Sequence, residues 1–274
     1  MLRLPLLAVF LLAMAAPASA QAAVEGPLDR VLGAVVQSDG RVDYRALASR
    51  HRDDLDAALA AIARQDPGAL RTDAQKTTFL INAYNAHVLA RVLAHPRATN
   101  LERQDLFGAF FRQPVVVAGQ TMTLDQLEHG VLRRQDRVAG APVPRALRAL
   151  RPSRVDYRIH AALNCAAVSC PPLRARSYRA ATLDADLDAR FRLFVASSRA
   201  VRADGRRLVV SSLFDWFAGD FESGGRRVGD VLLAAMSADR AASLRSRLAG
   251  KAAADLRRDR AVTFAYDWTV NRAR

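Results

Sequence analysis

Lysine is almost missing from this sequence: Lys76 and Lys251 are the only two among 41 basic residues. The remaining positive charge is arginine, set against 27 acidic residues for a net charge of +14. An excess of that sign can favour nucleic acid or an anionic surface. Here the arginines are scattered, and no basic stripe interleaved with aromatic residues occurs, as a single-strand binder requires. Together with abundant alanine they read as a compositional bias, and no nucleic-acid partner is expected. Long apolar runs are also absent beyond the N-terminal segment. Nothing after residue 20 approaches the length of about eighteen apolar residues that spans a bilayer, so no transmembrane segment is expected in the mature chain. No helix carries paired histidines at metal-binding spacing and there is no double CxxC, so no metal and no cofactor are expected. Cysteine is limited to Cys165 and Cys170.

The N-terminal segment is read as a signal peptide rather than as fold. Arg3 gives a short positive start, Leu4 to Ala16 is apolar, and Ala18-Ser19-Ala20 supplies a small-residue cleavage pattern. Cleavage after Ala20 would make the mature protein periplasmic or secreted. No cysteine follows the cleavage point, which argues against a lipid anchor there. Residues 21-274 are enough for one large core, and neither an internal repeat nor a dividing linker is visible, so a single globular domain is expected.

Both cysteines and one of the five histidines fall between His160 and Leu173. Tyr157 to Leu163 is predicted as a strand, with Ile159, Ala161 and Leu163 on one side and His160, Ala162 and Asn164 on the other. Ser169-Cys170-Pro171-Pro172 is predicted to open a helix, since proline is tolerated in a first turn. A thiol beside an imidazole and near a helix N-terminus is the setting that produces a thiolate. An exported protein with an even cysteine count also permits a bridge. A Cys165–Cys170 disulfide would contribute ~2 kcal/mol in the chain-entropy model. It needs Cα atoms within about 7 Å, which a tight turn allows and a continuing strand does not.

Hydrophobic periodicity predicts helices over Val24–Val36, Ala46–Arg64, Asp73–Ala94, Leu124–Arg134, Thr182–Ser197, Val228–Met236 and Ala241–Leu248. Hairpins are predicted over Gln113–Thr123 and Ala200–Ser211, with Val262–Trp268 as a closing strand. The aromatic Phe214 to Phe221 segment is expected to pack under the site. The fold class is therefore α+β, a mainly helical single domain around a small, largely antiparallel sheet. In Asp73–Ala94, Asn82 and Asn85 lie opposite the wet stripe of Lys76, His87 and Arg91, on an apolar face. Buried amides must find partners: either a neighbouring loop's backbone or a polar cavity. His87 is expected at the surface. Glu128 sits among leucines, about 40° from Leu124, while His129 points about 140° away. A carboxylate placed so requires a cation or a hydrogen-bond donor.

Ile81-Asn82-Ala83-Tyr84-Asn85-Ala86, Leu127-Glu128-His129-Gly130, the His160 to Leu173 stretch, Phe214-Asp215-Trp216 with Asp220-Phe221, and Tyr266-Asp267-Trp268 with Asn271 occur in this order. Together they resemble the family called domain of unknown function 547, and Gly40-Arg41-Val42-Asp43-Tyr44 is similar to its bacterial members. The resemblance spans nearly the whole mature chain. It implies one domain with a cysteine-hydrolase-like arrangement, in which the first cysteine, here Cys165, is the steadier of the pair. It also implies an apolar residue where this chain has His87.

A cysteine nucleophile needs a base within about 3 Å and a group to orient that base. Cys165, His160 and Glu128 are the expected catalytic set, with Asn82, Asn85, Asn164, Cys170 and His129 lining the site. Five residues of strand span ~16 Å, so His160 and Cys165 meet only if the chain turns back after Asn164. His129 competes as base, but on a regular helix only one of Glu128 and His129 points into a site. The expected function is an exported thiol-dependent hydrolase or acyl transferase acting on a small-molecule or peptide substrate. The alternative is a non-enzymatic periplasmic binding or assembly domain with a structural Cys165–Cys170 disulfide.

Overall fold

The computed structural model describes residues 20–273. The expected signal peptide, Ala20 apart, lies outside the described residues. The chain opens with helices α1 (Ala20–Val35), α2 (Tyr44–Arg50), α3 (Arg52–Arg64) and α4 (Asp73–Ala94). The long helix expected over Ala46–Arg64 is thus two helices, broken at His51 (φ −127°, ψ 17°). Helix α4 has the bounds expected from sequence because both ends are chemically marked. Thr72 Oγ1 accepts from Gln75 N at 3.1 Å, and Gln75 Oε1 accepts from Thr72 N at 3.0 Å, a reciprocal capping box. Pro96 follows the C-terminal end.

Helix α5 (Gln104–Phe111) leads into an antiparallel hairpin, β1 (Pro114–Val117) with β2 (Gln120–Thr123), in which Val117 pairs with Gln120. A π-helical segment, Gln126–Leu132, follows. A second short hairpin, β3 (Arg137–Val138) with β4 (Ala141–Pro142), precedes helix α6 (Arg145–Ala149). After the cysteine stretch come helix α7 (Leu183–Ala196) and strands β5 (Val201–Asp204) and β6 (Arg207–Ser211). Short helices α8 (Leu213–Trp216) and α9 (Ala218–Phe221) and longer α10 (Val228–Ala235), α11 (Ala238–Leu248) and α12 (Ala253–Arg258) precede strand β7 (Val262–Ala265). The three-stranded sheet has the order β5-β6-β7, antiparallel in the first pair and parallel in the second. The fold is α+β, mainly helical around small antiparallel and mixed sheets.

Buried apolar side chains form two clusters. The first joins α1–α4, the first hairpin and the π-helical segment, around Leu28, Leu47, Ile62, Phe79 and Leu127. The second joins α7, the three-stranded sheet and α8–α12, around Phe194, Val210, Phe214, Phe221 and Leu256. Tyr157–Ala161 lies between them: Ile159 is buried in the first cluster and Ala161 in the second. That segment is a 3-10 helix rather than the expected strand. Asp156 takes the Arg158 backbone N–H at 2.9 Å and starts the turn, and no strand runs beside it to complete a ladder. The alternation of apolar residues is satisfied instead by burying successive side chains in different clusters.

His87, expected at the surface, is mostly enclosed between α4 and β1. Its ring hydrogen-bonds the Val116 backbone, and Nε2 is buried without a partner. Burial pushes its pKa down to about 4, against the opposing effect of the Val116 hydrogen bond and with a smaller contribution from Arg91. Gly40 has φ +79°, and a Cβ there would fall 2.5 Å from Pro172 Cα, so the early motif packs directly on the end of the cysteine stretch.

Two predictions follow from these contacts. Gly40→Ala combines a left-handed backbone with a collision against a proline ring and should cost about 2–4 kcal/mol. Gly250→Ala has φ +69° but open space, and should cost about 1 kcal/mol; urea titration of both variants separates the two contributions. For His87, the folded pKa lies below the unfolded value, so the unfolded chain binds the proton first. Its contribution is complete above about pH 6.5 and is lost as pH falls towards 4, by roughly 3 kcal/mol. Replacement by Leu should flatten stability against pH in that window, as measured by urea midpoints from pH 4 to 7.

Candidate functional site

The chain reverses directly after the 3-10 helix, and buried amides hold the reversal. Asn85 Nδ2 donates to Ala162 O at 3.0 Å while Asn85 Oδ1 accepts from Asn164 N at 2.9 Å. Asn164 Oδ1 accepts from Ala166 N at 3.0 Å and from Asn271 Nδ2 at 3.2 Å, and its Nδ2 donates to Pro171 O at 2.8 Å. These bonds hold Ala166 in the left-handed region (φ 64°), at a cost of roughly 1–2 kcal/mol. The segment from Ala166 to Ser169 then runs antiparallel to Asp267–Asn271, with Val168 N donating to Thr269 O at 2.7 Å and Asn271 N to Ala166 O at 2.8 Å.

Within this loop Cys165 and Cys170 are joined as a disulfide, with Cα atoms 6.2 Å apart. The helix expected to begin at Cys170 does not form. Pro171 and Pro172 remain in irregular backbone, and their carbonyls are taken by Asn164 and Arg190. Cys170 is 2% exposed and Cys165 is half-buried. The Tyr266 hydroxyl lies 3.0 Å from Cys165 Sγ and 3.1 Å from Cys170 Sγ.

Both sulfurs open on a cavity of about 320 Å³ between the two apolar clusters, whose walls include Glu128, His129 and His160. Glu128, His160 and Cys165 thus reach the wall of one cavity from three elements, with the chain reversed at Asn164. Glu128 and His129 both reach the wall, contrary to the regular-helix expectation. Their segment is π-helical, marked by Arg133 N donating to Glu128 O at 2.9 Å, and the wider turn brings adjacent side chains closer in angle. Asn82 and Asn85 stand behind the wall. Asn82 clamps Tyr178 through its backbone N–H and carbonyl, at 2.9 Å and 3.0 Å. Asn85 clamps the reversal, and Asn164 closes the loop. The amides therefore satisfy backbone rather than a cavity.

The orienting carboxylate of His160 is Asp220, not Glu128. His160 Nε2 donates to Asp220 Oδ2 at 2.8 Å, and Arg133 Nε donates to the same oxygen at 2.5 Å. The imidazole stacks on Phe217 with centroids 4.0 Å apart. Burial lowers the His160 pKa, against the opposing pull of Asp220 and Glu128. A neutral ring that donates from Nε2 keeps its basic lone pair on Nδ1. In His129 that lone pair is engaged, because Arg133 Nη1 donates to Nδ1 at 2.9 Å. Burial would raise the Asp220 pKa, but the hydrogen bonds from His160 and Arg133 override it and hold the carboxyl below its ordinary value. Glu128 instead receives the Tyr84 hydroxyl, whose pKa is raised well up by burial and then by Glu128.

Residues 69–195 match the family model described as Protein of unknown function, DUF547. The chain is similar to this family over that segment. No curated protein and no solved structure matches the chain. The DUF547 segment supplies Tyr84, Glu128, His129, Arg133, His160 and both cysteines to the cavity. The remaining wall comes from beyond it, through Trp216, Phe217, Tyr266 and Trp268, and Asp220 arrives from the same side. Among the described residues no group of three or more His, Cys, Asp and Glu side chains is arranged to hold a metal, and no helix is long and apolar enough to cross a membrane.

Sequence reasoning missed Asp220, Arg133 and Tyr266 as site residues. Asp220 and Tyr266 sit in quoted aromatic motifs, but nothing in spacing ties position 220 to position 160. Asp220→Asn should leave the Arg133 guanidinium poorly compensated and cost about 3 kcal/mol at neutral pH. The depressed Asp220 pKa means that its contribution is present above about pH 4 and is lost as pH falls through its lower folded value. The variant should therefore show a shallower acid limb, read by urea denaturation from pH 2 to 7.

Proposed function

We propose that this cavity is the active centre of an exported thiol enzyme, a hydrolase or acyl transferase, with Cys165 as nucleophile once the disulfide is reduced. The observation that carries the proposal is the meeting of a half-buried sulfur and a neutral, carboxylate-held imidazole on the wall of one cavity. Opening the disulfide takes two electrons and two protons from an external thiol reductant and leaves two thiols. His160 Nδ1 then takes the Cys165 proton, the thiolate attacks an acyl carbon, and the leaving group departs with a proton returned from the imidazole. Water or an acceptor nucleophile releases the acyl group and regenerates the thiol. Tyr266, kept protonated because burial and then Glu128 raise its pKa, supports the sulfur anion as a hydrogen-bond donor. Glu128 lies near enough to favour the imidazolium that forms.

The binding-domain alternative is favoured by one observation, the disulfide itself. Against a purely structural clasp, Asn164 already closes the same loop from Asn164 to Pro171 by hydrogen bonds. The two readings separate in an alkylation experiment. Protein reduced with a phosphine and treated with iodoacetamide near pH 7 should be modified first at Cys165, about tenfold faster than an unfolded control. His160→Ala should remove most of that acceleration. Equal rates for both cysteines in the folded and unfolded chain would overturn the thiol proposal in favour of a structural bridge.

A further inference from the structure

The cavity carries a charge that its own side chains leave unbalanced. Among the described residues Glu128 makes no ion pair; its partner is the uncharged Tyr84 hydroxyl. Asp220 is offset by Arg133, which lies over the Phe217 ring with its guanidinium carbon 4.6 Å from the centroid. His160 is held neutral by burial. A second carboxyl, Asp125, also faces the cavity; burial raises its pKa against the opposing pull of His129 and of Arg112, whose guanidinium lies 3.5 Å away on a side chain 62% exposed and so well screened. The same cavity has an aromatic wall. Trp216 and Trp268 stack with centroids 5.6 Å apart, and Tyr266 and Phe107 pack on Trp268 at 4.6 Å and 5.4 Å. Trp216 is 46% exposed although it is large and apolar, so one face of the wall is left free for a ligand.

Aromatic faces and an uncompensated carboxylate around one half-open cleft attract the same chemistry. The ring quadrupoles favour a cation with an apolar skirt, and a carboxylate in a partly water-excluded site strengthens that preference. A carboxylate ligand would meet like charge, and a neutral ligand would leave Glu128 without its counter-ion. We infer that the cavity recognises an alkylammonium group, held by Glu128 and by the Trp216–Trp268 wall. Calling its bearer the substrate rests on the thiol reading above; the binding preference does not.

The chain contains two tryptophans, and both line this cavity, so intrinsic fluorescence reports on it directly. Butylammonium titrated into the full chain should give a saturable change in tryptophan emission. Its affinity should exceed that of butanol by about tenfold and should weaken as salt is raised, while butyrate gives no saturable change. Glu128→Gln should reduce the affinity for butylammonium about tenfold and leave that for butanol unchanged. Absence of saturable binding by the cation, equal binding of butanol or butyrate, or an unaltered cation affinity in Glu128→Gln would overturn the inference. If Glu128→Gln does not fold, the three isosteres on the unaltered chain decide the matter alone. Cation binding without rapid alkylation of Cys165 would remove the thiol reading and leave this one, and the converse result would do the opposite.

Discussion

The reversal at Asn164 is the constraint from which the cavity follows. Its backbone N–H is taken by Asn85 and its side chain is shared among Ala166, Pro171 and Asn271. Asn271 is held in turn by the Tyr44 hydroxyl at 2.8 Å, so the network reaches from the early motif to the C-terminal segment. Every member is buried, and an unpartnered polar group there costs roughly 1–3 kcal/mol. Such a network stabilises one arrangement and heavily penalises the others. It fixes where the Cys165 and Cys170 sulfurs emerge.

Electrostatics supply the other half of the site. Asp220 sits between a buried imidazole and a guanidinium whose side chain is 9% exposed. The guanidinium would not be tolerated there alone, and Asp220 supplies its counter-charge. Phe217 serves both, stacking on His160 and lying under Arg133. The same carboxylate thus fixes the His160 tautomer and accounts for a buried arginine. Glu128 is released from that duty, which is why its charge remains available to the cavity.

Much of this was legible where local chemistry dominates. The bounds of α4 follow from a capping box and a proline, and the β1–β2 hairpin from its turn at Ala118 and Gly119. The odd residues of the pattern, Glu128 among leucines and two amides on an apolar face, pointed at real polar networks, although they did not name the partners. The failures occur where tertiary context overrides period. Tyr157–Leu163 alternates like a strand, yet Ile159 and Ala161, on one expected side, are buried in different apolar clusters and the chain coils instead. Leu124–Arg134 reads as a regular helix, and no residue within it announces the wider turn that lets Glu128 and His129 share a wall. His87 fell on the polar stripe of α4, but β1 folds over that stripe and buries it. Asp220 is sixty residues from His160, and no spacing rule reaches that far.

The family match ends at residue 195, but the chemistry does not. The segment before that point brings both sulfurs, His160 and Glu128, and leaves the histidine without its carboxylate. The carboxylate and most of the aromatic wall come from α8, α9 and the chain after β7. Those pieces are positioned by the second apolar cluster and by the parallel β6–β7 pair, which aims the chain from Ala265 towards the cavity. Tyr266 leaves the sheet at that point and reaches both sulfurs, and Asp267–Asn271 returns along the cysteine loop to meet Asn164. The matched segment on its own would hold the cysteine loop through Asn85 and Asn164 but leave the imidazole without its carboxylate. The site is therefore a property of both clusters acting together, and the residues that give it direction are those farthest in sequence from the cysteines.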